Sequence, residues 1–297
     1  MQIATVNTAD VHCSKEPFPF LVWQNFLDLE TCRTLITDAE TFSAGARTPY
    51  VMGGRSIMAS TSVRFTDLGT ASPIWSSLVT MIHSKHLSDQ LSELLDIDTK
   101  YVNSPVFTVR NTTLAKFVKK ARTSIQKASL STSSLRQIAL LLVLRTLFAF
   151  RRWAFGFGWR LRGRVAYELL FDYSIGIRGY EREIHRDSDS RDIVFLLYLN
   201  STESVEGGLL QLHQLKKGGH LKPQPDPADC ILHLAIEPKA GTLVAFQNTA
   251  NSYHSVRRIL GENTQRHFLY GGFTRLRGRS DSFRGQSHLA TDWTLYN

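Results

Sequence analysis

The sequence predicts an α+β protein, with helices in the first third of the chain and a sandwich or barrel of short strands in the last. Three observations lead there. Seven strand-like runs (167–175, 192–200, 207–215, 230–236, 241–247, 251–256 and 266–273) follow one another at short intervals. Turn-forming residues separate them, among them Gly207-Gly208, Gly218-Gly219, the alternating prolines 223, 225 and 227, and Gly261-Glu262-Asn263. The earlier part of the chain instead has apolar residues at helical spacing.

Taken in order, residues 20–23 read as a strand. A helix follows, whose first turn carries Asp28 and Glu30, charges that suit a helix N-terminus. Residues 43–72 read as a loop with a short strand around Ser62 to Phe65. After Pro73, Ile74, Leu78 and Ile82, then Leu91, Leu94 and Leu95, recur at three- and four-residue spacing and predict more helix. The 297 residues are 42% hydrophobic, enough for a sizeable core, and no internal repeat is visible. The first twenty residues have no basic stretch followed by an apolar one, so the expectation is an intracellular, cytoplasmic protein. Cys13, Cys32 and Cys230 are widely spaced and odd in number, which argues against a disulfide framework or a zinc site.

The net charge of +9 is unevenly distributed. Between Arg110 and Arg164 stand thirteen Lys and Arg and no Asp or Glu, so the rest of the chain carries 9 − 13 = −4. This divides the chain into an N-terminal support (1–109), a basic, partly apolar helical insertion (110–164) and a strand-rich core (165–297), all within one integrated domain. The apolar run 138–150 is too short, and too interrupted by Arg145, for a membrane span. With Arg151, Arg152, Trp153, Phe155, Phe157 and Trp159 it has the make-up of an interfacial helix, so peripheral membrane contact through 136–164 competes with a helical hairpin packed on the sheet. Basic charge also suits an acidic or lipid-like ligand. Nucleic acid is disfavoured because no recognised binding pattern accompanies the aromatics.

Chemistry concentrates at His185 and Asp187. If the backbone there is extended, residues two apart point to one face, so an imidazole and a carboxylate converge. A second imidazole from another strand would complete two His and one carboxylate, which hold Fe(II) on one face and leave positions open for a cosubstrate and O₂. With 10 His in the chain, one His-x-Asp in about two such sequences is expected by chance, so the order of the features around it carries the weight.

That order is Tyr173, His185-Arg186-Asp187, Leu197-Tyr198-Leu199-Asn200, Glu206-Gly207-Gly208, the run from Pro238 to Phe246, His254 and Arg266. It resembles the 2-oxoglutarate/Fe(II)-dependent dioxygenase superfamily, within it the prolyl-hydroxylase-like branch, strongly over about 165–276 and more weakly at 17–27. The resemblance implies a double-stranded β-helix (jelly-roll, cupin-like) core. It implies His185, Asp187 and His254 as catalytic iron ligands, and Arg266 as the partner of the distal carboxylate of 2-oxoglutarate. A guanidinium offers that anion two parallel donors. Arg266 lies further beyond His254 than the family's basic residue does, and the hydroxyl residue expected two positions later is Phe268, so Tyr173 or Tyr198 is the candidate for the neutral hydrogen bond.

The implied reaction consumes Fe(II)-bound 2-oxoglutarate and O₂ and releases succinate and CO₂ while hydroxylating an aliphatic C–H, with ascorbate a candidate reductant. Desaturation and cyclisation share its start, and Asp187 argues against a halogenase. The expected substrate is a small natural-product or amino-acid-like molecule. The alternatives are a peptidyl residue, or a catalytically silent core that binds a partner or an anionic membrane through the basic insertion. Residues 44–65 and 110–164 are the candidate substrate lid. His213, His233 and His267 read as packed or surface imidazoles, and Asp189 and Asp192 compete with Asp187 for the carboxylate role.

Overall fold

In the computed structural model the described residues are 10–44, 51–97, 101–103, 150, 153–154, 156–159, 161–162 and 165–276. Most of the basic segment, including the run 138–149, therefore lies outside the described residues. Among those described, no helix is long and apolar enough to cross a membrane.

The first strands, β1 (Val11–Ser14) and β2 (Phe20–Trp23), form an antiparallel pair. Helix α1 (Leu29–Ala44) follows, capped as its sequence suggests: Asp28 accepts the backbone N–H of Thr31 at 2.7 Å and its hydroxyl at 2.7 Å. Strands β3 (Val51–Met52) and β4 (Arg55–Ala59) make a hairpin. The strand expected at Ser62 to Phe65 is instead the start of α2 (Val63–Ala71), because the Ser62 side chain accepts the Phe65 N–H and caps a helix that buries Phe65 and Leu68. Two further serines act likewise, Ser72 for α3 (Pro73–Ile82) and Ser84 for α4 (Lys85–Leu94), so the expected helical stretch is two helices broken at His83-Ser84.

Strand β5 (Tyr101–Asn103) runs parallel to β6 (Val165–Gly176). The remaining strands are β7 (Arg182–His185), β8 (Arg191–Tyr198), β9 (Leu210–Leu215), β10 (Cys230–Ile236), β11 (Leu243–Gln247), β12 (Tyr253–Val256) and β13 (Arg266–Arg275). They make two sheets: β1-β2-β11-β8-β13-β6-β4-β3 with β5 beside β6, and β10-β9-β12-β7. Among the described residues all pairings apart from that of β5 are antiparallel, giving an α+β, jelly-roll-like core with flanking helices.

The large sheet is buried on both faces. One face meets the helices through Trp23, Leu35, Phe65, Trp75, Leu78, Phe171 and Leu269. The other meets the small sheet through Val194, Leu196, Val244, Phe246 and Phe268 against Leu210, Leu212 and Val256. Each such side chain contributes about 1.5–3 kcal/mol by leaving water. Burial on both faces explains the nearly unbroken apolar run of β8, which reads as a central strand.

At the centre β13 pairs with β6 on one side and β8 on the other. Gly271 allows this crowding: a Cβ there would lie 2.4 Å from the Phe171 Cβ and 2.7 Å from the Phe195 ring. Gly271→Ala is therefore expected to lower the unfolding free energy by about 1–3 kcal/mol in urea titration. Wild-type stability would show that the sheet yields there at no cost.

Candidate metal centre

The β12–β7 pairing sets His254 directly opposite His185, and the chain leaving β7 brings Asp187 to the same point. One ligand atom from each of the three lies within 4.8 Å of the others, a group able to hold a metal ion. The two rings are 4.4 Å apart, and His254 also lies 4.9 Å from the Phe246 ring.

Local backbone sets the tautomers. The Nδ1 of His185 is 2.7 Å from the Glu183 carbonyl and that of His254 is 3.0 Å from the Ser252 carbonyl. Carbonyls only accept, so each Nδ1 carries the proton and each Nε2 keeps its lone pair for a metal. Burial pushes the His254 imidazole down to about 4 and lowers His185 as well, so both are neutral at pH 7. For Asp187, burial alone would raise the carboxyl. Arg191, His254, Tyr270 and His185 outweigh it and hold the group below the ordinary carboxylate value. Two neutral imidazoles and one ionised carboxylate are the donor set that suits a divalent iron.

Asp187 has two holders that the sequence reading did not single out. The Tyr270 phenol donates to it at 2.7 and 2.9 Å, and the Arg191 guanidinium lies 3.7 Å away, hydrogen-bonded in turn to the Tyr270 oxygen. A signal for Tyr270 was present, since Arg266, Phe268 and Tyr270 alternate along one strand and must share its inward face. A third arginine joins them. Arg55 of β4 donates to the Ser174 hydroxyl at 2.8 and 3.0 Å and lies 5.2 Å from the centres of both the Phe268 and Tyr270 rings. It places the 51–59 hairpin, part of the expected lid, beside the site.

Arg266 is fully buried. Its Nη1 donates to the Gly208 carbonyl, and its guanidinium carbon lies 4.5 Å from the Phe268 ring centre and 5.2 Å from that of Tyr198. The glycine turn beside it is tightly packed: Gly207 has φ +84° and a Cβ on it would fall 1.9 Å from the Arg258 carbonyl oxygen, while a Cβ on Gly208 (φ +76°) would lie 3.4 Å from the Arg266 Cδ. Among the described residues, Nε and Nη2 of Arg266 and the hydroxyl of Tyr198 are buried without a hydrogen-bond partner. Such groups cost about 1–3 kcal/mol each, more when charged, and they mark a place where a polar ligand fits.

The structure brings His185, Asp187 and His254 together, and Tyr198 to Arg266. It does not bring Tyr173 there. Tyr173 stands opposite Leu269 in the register, faces the helices, packs 5.2 Å from Trp75 and bonds His267 Nδ1 at 2.8 Å. Of the competing carboxylates, Asp189 pairs with Arg186 and Asp192 with Arg275. His213 bonds the Ser255 hydroxyl at 2.8 Å, and His233 is exposed.

Residues 171–272 match the sequence model of the 2OG-Fe(II) oxygenase superfamily. This stretch, which contains the metal cluster, is a domain of that superfamily, and the chain is accordingly an oxidoreductase. Among solved structures it is similar to a prolyl-4-hydroxylase from Pseudomonas putida, with 16% identity over 87% of this chain and 93% of that one at a TM-score of 0.42. It is also similar to a Trichoplax adhaerens prolyl hydroxylase solved with a hypoxia-inducible-factor peptide, with 13% identity over 86% and 83% at 0.42. A third is the α-ketoglutarate-dependent epimerase SnoN of nogalamycin biosynthesis, with 10% identity over 86% and 78% at 0.43. No curated protein matches the chain.

Two expectations follow. Tyr270→Phe removes the donor to Asp187 and should weaken Mn(II) binding about tenfold or more in anaerobic titration; unchanged affinity would mean the phenol does not orient the carboxylate. His267, pushed down to about 4 by burial, stays neutral in the native chain while the unfolded chain takes up its proton near pH 6.5. Stability should therefore fall as pH drops from about 6.5 towards 4, by at most about 1.4 kcal/mol per unit. His267→Gln should remove that share of the slope in urea titrations at pH 7 and pH 5.

Proposed function

We propose that the protein is an Fe(II)- and 2-oxoglutarate-dependent oxygenase that hydroxylates an unactivated aliphatic C–H bond. The observation that carries this reading is Arg266, a fully buried guanidinium with Nε and Nη2 unpartnered beside the unpartnered Tyr198 hydroxyl. A buried cation without a counter-charge is strongly unfavourable, and a carboxylate fits both the charge and the two-pronged geometry. An iron site that used no dicarboxylate would have no need of it.

In this reading His185 and His254 bind iron through Nε2 and Asp187 through a carboxylate oxygen. Iron held there with 2-oxoglutarate would supply the activation of O₂, with succinate, CO₂ and the hydroxylated substrate as the balanced products. The chain's own residues position and exclude. Arg266 takes the distal carboxylate and Tyr198 donates the neutral hydrogen bond, the role for which Tyr173 faces the wrong way. Tyr270 keeps its proton, because burial raises its pKa, and so remains a donor to Asp187. The rings of Phe268, Tyr198 and Tyr180 around the guanidinium keep bulk water from the anion site.

For the substrate, a small molecule is the expectation from sequence, and a peptidyl residue is the reading suggested by the names of the two prolyl hydroxylases. SnoN's name points to a biosynthetic small molecule, so the substrate search should span both classes.

The test is anaerobic addition of Fe(II) and 2-oxoglutarate, watching for the visible charge-transfer band of the chelate. Wild type should give the band and Asp187→Ala should not. Arg266→Gln should keep metal affinity and weaken 2-oxoglutarate binding about 100-fold, the loss of two charge-assisted hydrogen bonds. No band in wild type, or undiminished 2-oxoglutarate affinity in Arg266→Gln, would overturn the reading.

A further inference from the structure

We propose that the helical residues Phe150, Trp153 and Phe157 seat the catalytic end of the core on an anionic lipid surface. Phe150, Trp153 and Phe157 are the exposed phenylalanines and tryptophan of the described residues, at 60%, 42% and 45% exposure, and Leu161 just beyond is 74% exposed. Spacings of three and four residues put them on one helical face. They form a continuous patch: the rings of Trp153 and Phe157 stack at 5.4 Å and 11°, and Phe150 lies 5.8 Å from Trp153.

The same stretch is anchored on its other side. Gly156 is buried, and a Cβ on it would lie 2.5 Å from the Leu276 carbonyl oxygen, so the backbone sits tightly on the residue that follows β13. The anchor fixes the direction in which the patch faces. Next to Leu276, the Arg275 N–H bonds the Ser190 carbonyl at 2.8 Å, in the short connection from Asp187 to Arg191. The aromatic patch is thus tied to the end of the core that carries the metal cluster.

Charge selects the occupant. The patch lies within the segment of thirteen Lys and Arg without one Asp or Glu, and Arg162 covers the Trp159 ring at 5.1 Å. Tryptophan and phenylalanine in a sequence segment rich in arginine and without an acidic residue match the boundary between acyl chains and acidic headgroups, where the rings would enter the apolar layer and the cations meet phosphate. Each element is weak alone, and anchoring of this kind needs apolar insertion and charge together. A substrate lying in or attached to the bilayer would then reach the metal cluster without crossing bulk water.

The test uses the full-length protein without added metal or 2-oxoglutarate, so its outcome is separate from that of the oxygenase reading. Co-sedimentation with vesicles of phosphatidylglycerol and phosphatidylcholine should exceed that with phosphatidylcholine alone by about tenfold or more and decline with added salt. Lipids brominated in the acyl chain should quench tryptophan fluorescence. Trp153→Ala with Phe157→Ala should lower the partition about tenfold while Mn(II) affinity stays at the wild-type value. Equal binding to both vesicle types, or a partition unaffected by the double substitution, overturns the proposal. So does a dimer dispersed by the double substitution, which assigns the face to a second copy. If the double variant fails to fold, wild type decides alone: sedimentation without quenching overturns it, and quenching supports it.

Discussion

A guanidinium with no access to water dictates much of the arrangement inside this core. Arg266 enters from the first position of β13, and the groups around it answer its charge or its shape: the Gly208 carbonyl, the faces of Phe268 and Tyr198, and two N–H directions left for an anion. Removing an ion from water costs several kcal/mol, so a sequence keeps such a group where a ligand restores the balance. Gly208, whose absent Cβ would touch the Arg266 side chain, and the rings of Phe268 and Tyr198 line the space that this one side chain fills.

Along the same strand the pattern continues as a ladder of cations and rings. Phe268 lies between Arg266 and Arg55, and Tyr270 between Arg55 and Arg191. Each contact is worth about 0.5–2 kcal/mol, more when shielded from water. The ladder connects the anion site to the metal cluster, because its last ring donates to Asp187. Asp187 and the buried guanidinium of Arg266 are thereby linked through side chains of one strand.

How far the sequence could be read depended on whether a feature was local. Strand runs such as 192–200 and 266–273 were legible from alternation and turn residues, and the His-x-Asp with its distal His from motif order. Helix α2 was misread because Val63 and Phe65 favour strands, while a single serine hydroxyl at its start decides the matter. The choice between Tyr173 and Tyr198 could not be made from sequence. Facing is a question of parity, fixed by the register of β6 against β13 across some ninety residues, and no local signal encodes that pairing. Tyr270 was legible in principle, by its alternation with Arg266 and Phe268 along one strand, and Arg55 was not, since it arrives from a distant hairpin.

The shared strand has a consequence for error. Arg266, Phe268 and Tyr270 all face inward because β13 is in one particular register with both neighbours. A slip of one residue would turn all three towards the helices and bring His267 and Leu269 into the cavity. Such a slip would withdraw the Arg266 guanidinium from the interior and the Tyr270 phenol from Asp187 in one step, so the two features are kept or lost together.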